Sequence, residues 1–344
     1  MLNFVDLRSK EMNVFDYIGL IILLAIPMII LEMKKKSGII VADDTRVHFL
    51  GHILVGIYFA LTFLAFAEWH TPWYLFSNLH LYGLLATFIM PFALAYLVKG
   101  TGREKLVAIV MAVILFLSPL TRPFILAGPL RILHDTGMYR ATILDFEYAI
   151  PLNICNISAV VYLFALLLPA KGKMSNIIKG YMLTIGFFGG IINNLQTHNG
   201  HVDFFWYYFN WESYIVHALI MIIPMYMVLT NQIEIRKKYQ VYNLVWLVPA
   251  YFIMGFLINP LIGFNYWFTT PVEILSFLPQ DFYLTLFGGN VYPVYMMLQL
   301  MLVLAACAIL YLGFELLDKK IKPYFTCEEE VTEMCQNESD VMIT

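Results

Sequence analysis

Nine stretches of this chain are long, apolar and nearly uncharged, and they leave it little choice of fold. They run at about 15–32, 49–67, 79–98, 104–120, 150–169, 177–196, 211–230, 243–263 and 294–317. A hydrocarbon core of ~30 Å is crossed by about 20 residues of helix. Lipid cannot hydrogen-bond a bare backbone, so a segment within it must satisfy its own N–H and C=O groups. The runs are continuous and lack the period-two alternation of an outer-membrane barrel. Composition agrees: 60% of the residues are hydrophobic and 13% charged, against ~45–50% and ~25% in soluble domains. The expected fold is all-α, a polytopic helical transmembrane protein of about nine spans, seven at the least.

The first run does not read as a cleaved leader. Asp6 and Glu11 dilute its basic flank, no small-residue cleavage site follows, and Lys34, Lys35 and Lys36 come next. It is expected to stay as a helix. Lys and Arg then orient the chain. The loops after the first, third, fifth, seventh and ninth runs carry sixteen of them, and the opposite side carries five. The basic side is cytoplasmic by the positive-inside rule. That puts the N-terminus outside and the C-terminus in the cytoplasm of a multi-pass membrane protein, in the cell membrane if the source is bacterial.

Residues 1–322 read as a single integral membrane domain. Residues 323–344 carry Glu328, Glu329, Glu330, Glu333, Glu338 and Asp340 and read as an acidic, disordered cytoplasmic tail. Cys327 and Cys335 lie in that tail, where a reducing compartment disfavours a disulfide. Cys307 reads as packing inside a span. Two long outer connections, 121–149 and 264–293, mix Pro, Gly, aromatic and polar residues. They are either lids over the outer face or loops of the aromatic belt.

Placed on this topology, the intramembrane polar residues gather in the outer half. Asn153, Cys155 and Asn156 open the fifth span. Asn193, Asn194 and Gln196 close the sixth. Glu212 and His217 open the seventh, and Asn259 with Asn265 closes the eighth. At 1.5 Å per residue, Cys155 and His217 both lie roughly 6–10 Å below the outer boundary. Intramembrane polar groups are costly and face a cavity or one another, so four helices converging at one depth point to one polar pocket.

A thiol beside an imidazole suits nucleophilic catalysis. An unassisted thiol, with pKa ~8.5, is inert in apolar surroundings; His217 as base would let Cys155 attack an acyl carbonyl. The amides of Asn153, Asn156, Asn194 and Asn259 are candidate oxyanion donors. Glu212 sits about 140° around the helix from His217 at 100° per residue, so it does not orient the imidazole. It reads instead as a head-group contact or a partner of Arg122 or Arg131. The bland alternative for the pair is a buried apolar Cys and a His that is an interhelical donor.

Other constellations are thinner. His48 and His52 form an i, i+4 pair with no third ligand nearby. His198, His201 and Asp203 resemble half of a metal site or a solvated loop. Walker, GxSxG, HExxH and dinucleotide signatures are absent from the sequence. No metal, cofactor or nucleic acid is expected; the expected partners are membrane lipids.

YAIPLNICNISAVVYLF and ESYIVHALIMIIPMYMVL resemble the two signature segments of the transmembrane protein 164 family and its bacterial YwaF-like relatives. In those proteins a Pro-led helix carries a Cys, and a second helix carries a Glu, a Tyr and a His ahead of a Pro-containing apolar run. Here these are Cys155, then Glu212, Tyr214, His217 and Pro224, with the Tyr offset by about a residue. The likeness extends to INPLIGFNYWFTTP, where Asn265–Tyr266 matches an Asn-Tyr pair that the bacterial relatives tend to carry. It implies Cys-dependent acyl transfer to or from (lyso)phospholipid, with Cys155 as nucleophile and His217 as base; the pocket read from the residues themselves then sets Asn153, Asn156, Asn194, Glu212, Asn259 and Asn265 around the substrate. The alternative is a non-enzymatic transporter or lipid-binding protein using the same pocket. A carrier is built from broken helices in matched repeats; no repeat is visible, although Pro91, Pro119, Pro224 and Pro249 interrupt spans.

Overall fold

The computed structural model describes residues 45–67, 78–127, 152–168, 172–195, 208–262, 266–269 and 291–325. The first apolar run, the acidic tail and most of the two long connections lie outside them. All regular structure among the described residues is helical. Helices α1 Thr45–Ala67, α2 Asn78–Val98, α3 Glu104–Ala127 and α4 Ile154–Leu167 come first. Helices α5 Lys173–Leu195, α6 Tyr208–Leu229, α7 Lys237–Ile262 and α8 Val291–Leu316 follow. Each falls on one of the apolar runs. Four segments are long and apolar enough to cross a membrane: His80–Val98, Lys173–Leu195, Lys237–Ile262 and Pro293–Ile321. α3 runs on to Ala127, beyond the point where its apolar pattern ends.

Pro91, Pro224 and Pro249 lie inside α2, α6 and α7, and each helix continues through its proline. Neighbouring helices make this tolerable by satisfying the freed backbone groups. Helices α5 and α7 each widen to a single π turn, at Met182–Gly186 and Met254–Ile258, and α8 passes into another at Leu317–Ile321.

α6 is the hub. It packs on α2, α3, α4 and α5 and on the π turn after α8. A helix that is apolar all round is a buried helix, and residues 216–229 of α6 are buried without exception. α7 and α8 are peripheral: Trp246, Leu261, Met301 and Leu302 stand out from the bundle, more than 60% exposed. In lipid these are ordinary surface residues.

Polar bonds tie the helix ends together. Tyr226 Oη donates to the Glu104 carbonyl at 3.0 Å, Asn243 Nδ2 to the Ile177 carbonyl at 2.9 Å, and Lys322 Nζ to Asn231 Oδ1 at 3.2 Å. The starts of α3 and α5 therefore share one end of the bundle with the last turn of α6, the second turn of α7 and the residues that follow α8. That end, the basic end of the bundle, carries Lys105, Lys173, Lys237, Lys238 and Lys322.

Candidate functional site

At the opposite end, two consecutive glycines of α5 bring three helices together. A Cβ on Gly189 would stand 2.9 Å from Ile154 Cγ2, and one on Gly190 would stand 3.0 Å from the His217 carbonyl and 2.8 Å from Met221 Cγ. Ile154 precedes Cys155, so α4 at Cys155 and α6 at His217 meet α5 at adjacent residues. Successive helical residues point about 100° apart. The thiol-bearing and imidazole-bearing helices thus flank α5 at one level.

Cys155 is half-buried and reduced, and its Sγ lies 4.0 Å from Asn156 Oδ1. Asn153 is the N-cap residue of α4 by position, but its side chain makes no capping hydrogen bond. One turn below, Ser158 Oγ donates to the Ile154 carbonyl at 2.7 Å and lies 3.0 Å from Tyr181 Oη. Tyr181 is within electrostatic reach of the thiols of Cys155 and Cys307. Deeper still, Tyr162 is fully buried, with Oη 3.0 Å from the Ile220 carbonyl and 3.2 Å from that of Met182. A Cβ on Gly186 would stand 2.6 Å from that oxygen. α4, α5 and α6 are therefore locked together beneath the candidate pair.

His217 is 5% exposed. Its Nδ1 lies 3.2 Å from Ser213 Oγ, one turn earlier on the same helix. That contact sets the ring plane and leaves Nε2, the buried nitrogen, pointing away from Ser213. Asn194 Nδ2 donates to Met221 Sδ at 3.2 Å, so Asn194 packs one turn from His217. Its carbonyl is 2.6 Å from Nε2 of His80. A carbonyl only accepts, so His80 Nε2 carries the proton. His80 is 1% exposed and pins α2 to the end of α5. Tyr214 completes this layer by donating to the Gly83 carbonyl at 2.8 Å, with Thr87 Oγ1 3.0 Å away. His80, Ser213 and Thr87 were not among the candidates drawn from the sequence. His80 had a usable signal, a lone imidazole opening an apolar run.

Asn259 has another position than an oxyanion donor would need. Its Nδ2 donates to the Tyr266 carbonyl at 2.9 Å and to Thr269 Oγ1 at 2.7 Å, and its Oδ1 accepts from the Tyr266 N–H at 3.0 Å. Both ends of the amide serve the turn that follows α7. Inside that turn Trp267 adopts φ 59° and ψ 15°, a left-handed conformation uncommon outside glycine. Its indole Nε1 donates to the Leu152 carbonyl at 2.7 Å, three residues before Cys155. The clasp thereby fixes the entry of α4.

Glu212 lies in the first turns of α6, and its side chain is outside the described residues, as are Asn265, His198, His201 and Asp203. Of the other histidine pair, His52 Nδ1 is 3.2 Å from Tyr96 Oη. Among the described residues no three His, Cys, Asp or Glu side chains form a group able to hold a metal ion.

An all-helical bundle with lipid-length apolar helices and a polar layer at one end defines an integral membrane protein. The profile of the TMEM164 family matches residues 75–311. The chain belongs to the TMEM164 family. No curated protein and no solved structure matches it.

Proposed function

We propose that the protein transfers acyl groups to or from (lyso)phospholipid, with Cys155 as nucleophile and His217 as base. The supporting observation is the adjacency of Gly189 and Gly190, which sets the Cys155 and His217 helices against α5 at one level. In the forward step Cys155 Sγ attacks the ester carbonyl of a donor lipid and its proton passes to His217. The tetrahedral adduct collapses, the donor oxygen leaves with that proton as a lysolipid hydroxyl, and a thioester remains on Cys155. A second lysolipid hydroxyl gives its proton to His217 and attacks the thioester, which forms the new ester and regenerates the thiol. Asn153 and Asn156 are the amides beside the sulfur best placed to donate to the oxyanion. Asn194 borders the imidazole, and Asn259 acts through Trp267. Glu212 and Asn265 are assigned to the lipid head group.

The reading includes the topology argued from charge: about nine spans, the N-terminus outside, the C-terminus cytoplasmic and the site in the outer half of the membrane. The contrasting reading is a carrier or lipid-binding protein with the same pocket. The continuity of α2, α6 and α7 through their prolines favours the enzyme, because alternating access is usually built on broken helices.

The test is acyl exchange between a labelled phospholipid and a lysolipid in proteoliposomes. Wild type should show exchange and a hydroxylamine-sensitive label on the protein. Cys155→Ala should abolish both, and His217→Ala should slow thioester formation by about 10²–10⁴-fold, the usual worth of a general base. Full exchange by Cys155→Ala sinks the reading.

A further inference from the structure

A neutral imidazole carries one proton, and it can act as a base at Nε2 only if that proton sits on Nδ1. Ser213 Oγ lies 3.2 Å from Nδ1 of His217, and on distance alone either atom could be the donor. The habit of the bundle's other hydroxyls separates the two cases. Thr62, Thr87, Ser158, Thr184 and Thr230 each donate to the carbonyl four residues earlier in their own helix, at 2.7–3.1 Å. This is the usual back-bond of a helical Ser or Thr. A hydroxyl that gives its hydrogen backwards keeps its lone pairs for a donor ahead of it. Nδ1–H of a histidine four residues later is such a donor.

The turn that carries the pair is held on two sides. Tyr214 Oη donates to the Gly83 carbonyl of α2 at 2.8 Å. The His217 carbonyl faces Gly190 of α5, where an added Cβ would stand 3.0 Å from it. His217 itself is buried and Ser213 half-buried. In so closely packed a seat the ring cannot turn without moving its neighbours, so its plane and its partner are fixed together.

We propose that Ser213 is the positioning residue of His217: its Oγ accepts from Nδ1–H and leaves the Nε2 lone pair for the proton of Cys155. The chemical use of this contact rests on the acyl-transfer reading, whereas the tautomer itself can be measured without turnover. In the first step the S–C bond forms as the Cys155 proton passes to Nε2. The imidazolium keeps its Nδ1 proton on Ser213. As the ester C–O bond breaks, the Nε2 proton goes to the departing lysolipid oxygen. A neutral hydroxyl is a sufficient third member because a thiol ionises more readily than an alcohol, and Cys-His-Asn triads also use a neutral one.

The test uses the full-length protein in lipid nanodiscs, isotope-labelled at the histidine ring nitrogens. Spectra are recorded at a pH where the imidazoles are neutral, and His217 is assigned by difference from His217→Gln. Wild type should carry the hydrogen on Nδ1, and Ser213→Ala should shift the population toward the Nε2–H form. Ser213→Ala should also slow hydroxylamine-sensitive labelling of the protein about tenfold, the worth of one hydrogen bond. The donor-lipid concentration for half-maximal rate should not change. Ser213→Thr, which keeps the hydroxyl, should restore both tautomer and rate. A serine with a packing role alone would lower the thermal midpoint and leave the tautomer in place. The inference is overturned if wild-type His217 carries its hydrogen on Nε2, whether or not exchange proceeds, or if Ser213→Ala keeps the wild-type tautomer. Full exchange by Cys155→Ala would instead remove the acyl-transfer reading and leave the tautomer as the measure of Ser213.

Discussion

Single residues in this protein are decided by how closely backbones approach. Gly190 and Gly313 are both helical, yet their surroundings are opposite. A Cβ on Gly190 meets Met221, Ile220 and the His217 carbonyl, whereas one on Gly313 meets nothing within 4 Å. Gly190→Ala should therefore push α5 from α6 and lower the thermal midpoint in detergent. Gly313→Ala should raise it, through a gain of about 0.5–1 kcal/mol from reduced freedom of the unfolded chain and better helix propensity. Equal responses from the two would mean that the α5–α6 approach does not limit stability.

At the scale of elements, the turn after α7 governs the start of α4. Asn259→Ala leaves the buried Tyr266 N–H without its acceptor, a cost of about 1–3 kcal/mol. It should also loosen Trp267, and with it the Leu152 carbonyl. Trp267→Phe is the sharper variant, since it keeps the ring and removes the N–H. Maleimide labelling of Cys155 should change in rate for both variants, and the midpoint should fall less for Trp267→Phe. Unchanged labelling in both would separate the clasp from Cys155. None of this was legible in WFTTP, where an aromatic cluster beside a membrane boundary looks like any interfacial belt. The indole matters here because of one distant carbonyl and one left-handed φ, and neither leaves a mark in local composition. The helices were legible, because hydropathy over about 20 residues is a property of the segment itself. The expected depth of Cys155 and His217 is likewise a count from a segment's end. Their shared neighbour was not legible. Which face of α5 meets α4 depends on two glycines that read in sequence as ordinary small residues of an apolar run.

For the whole molecule, the charge pattern predicts a topology that can be measured. Single cysteines at Thr71 and Lys237, in a protein otherwise free of cysteine, should react with an impermeant maleimide from opposite sides of intact cells. Thr71 should label from outside and Lys237 only after permeabilisation. The reverse pattern would move the Cys155 layer to the cytoplasmic leaflet. The structure gathers Lys105, Lys173, Lys237, Lys238 and Lys322 at one end through the bonds of Tyr226, Asn243 and Lys322, so the two labels report the orientation of the bundle as a unit.

The paired glycines also bear on traffic. Where α4 and α6 both press against α5, neither seam has room for an acyl chain, and α5 acts there as a wall. Beneath it the Tyr162 hydroxyl, seated between the Met182 and Ile220 carbonyls, closes the floor. On the proposed acyl transfer, a lipid bound for Cys155 would come from the end opposite the lysines or from the flank of α4 turned away from α5. Tail length would be sensed along that path, and head-group identity at its mouth.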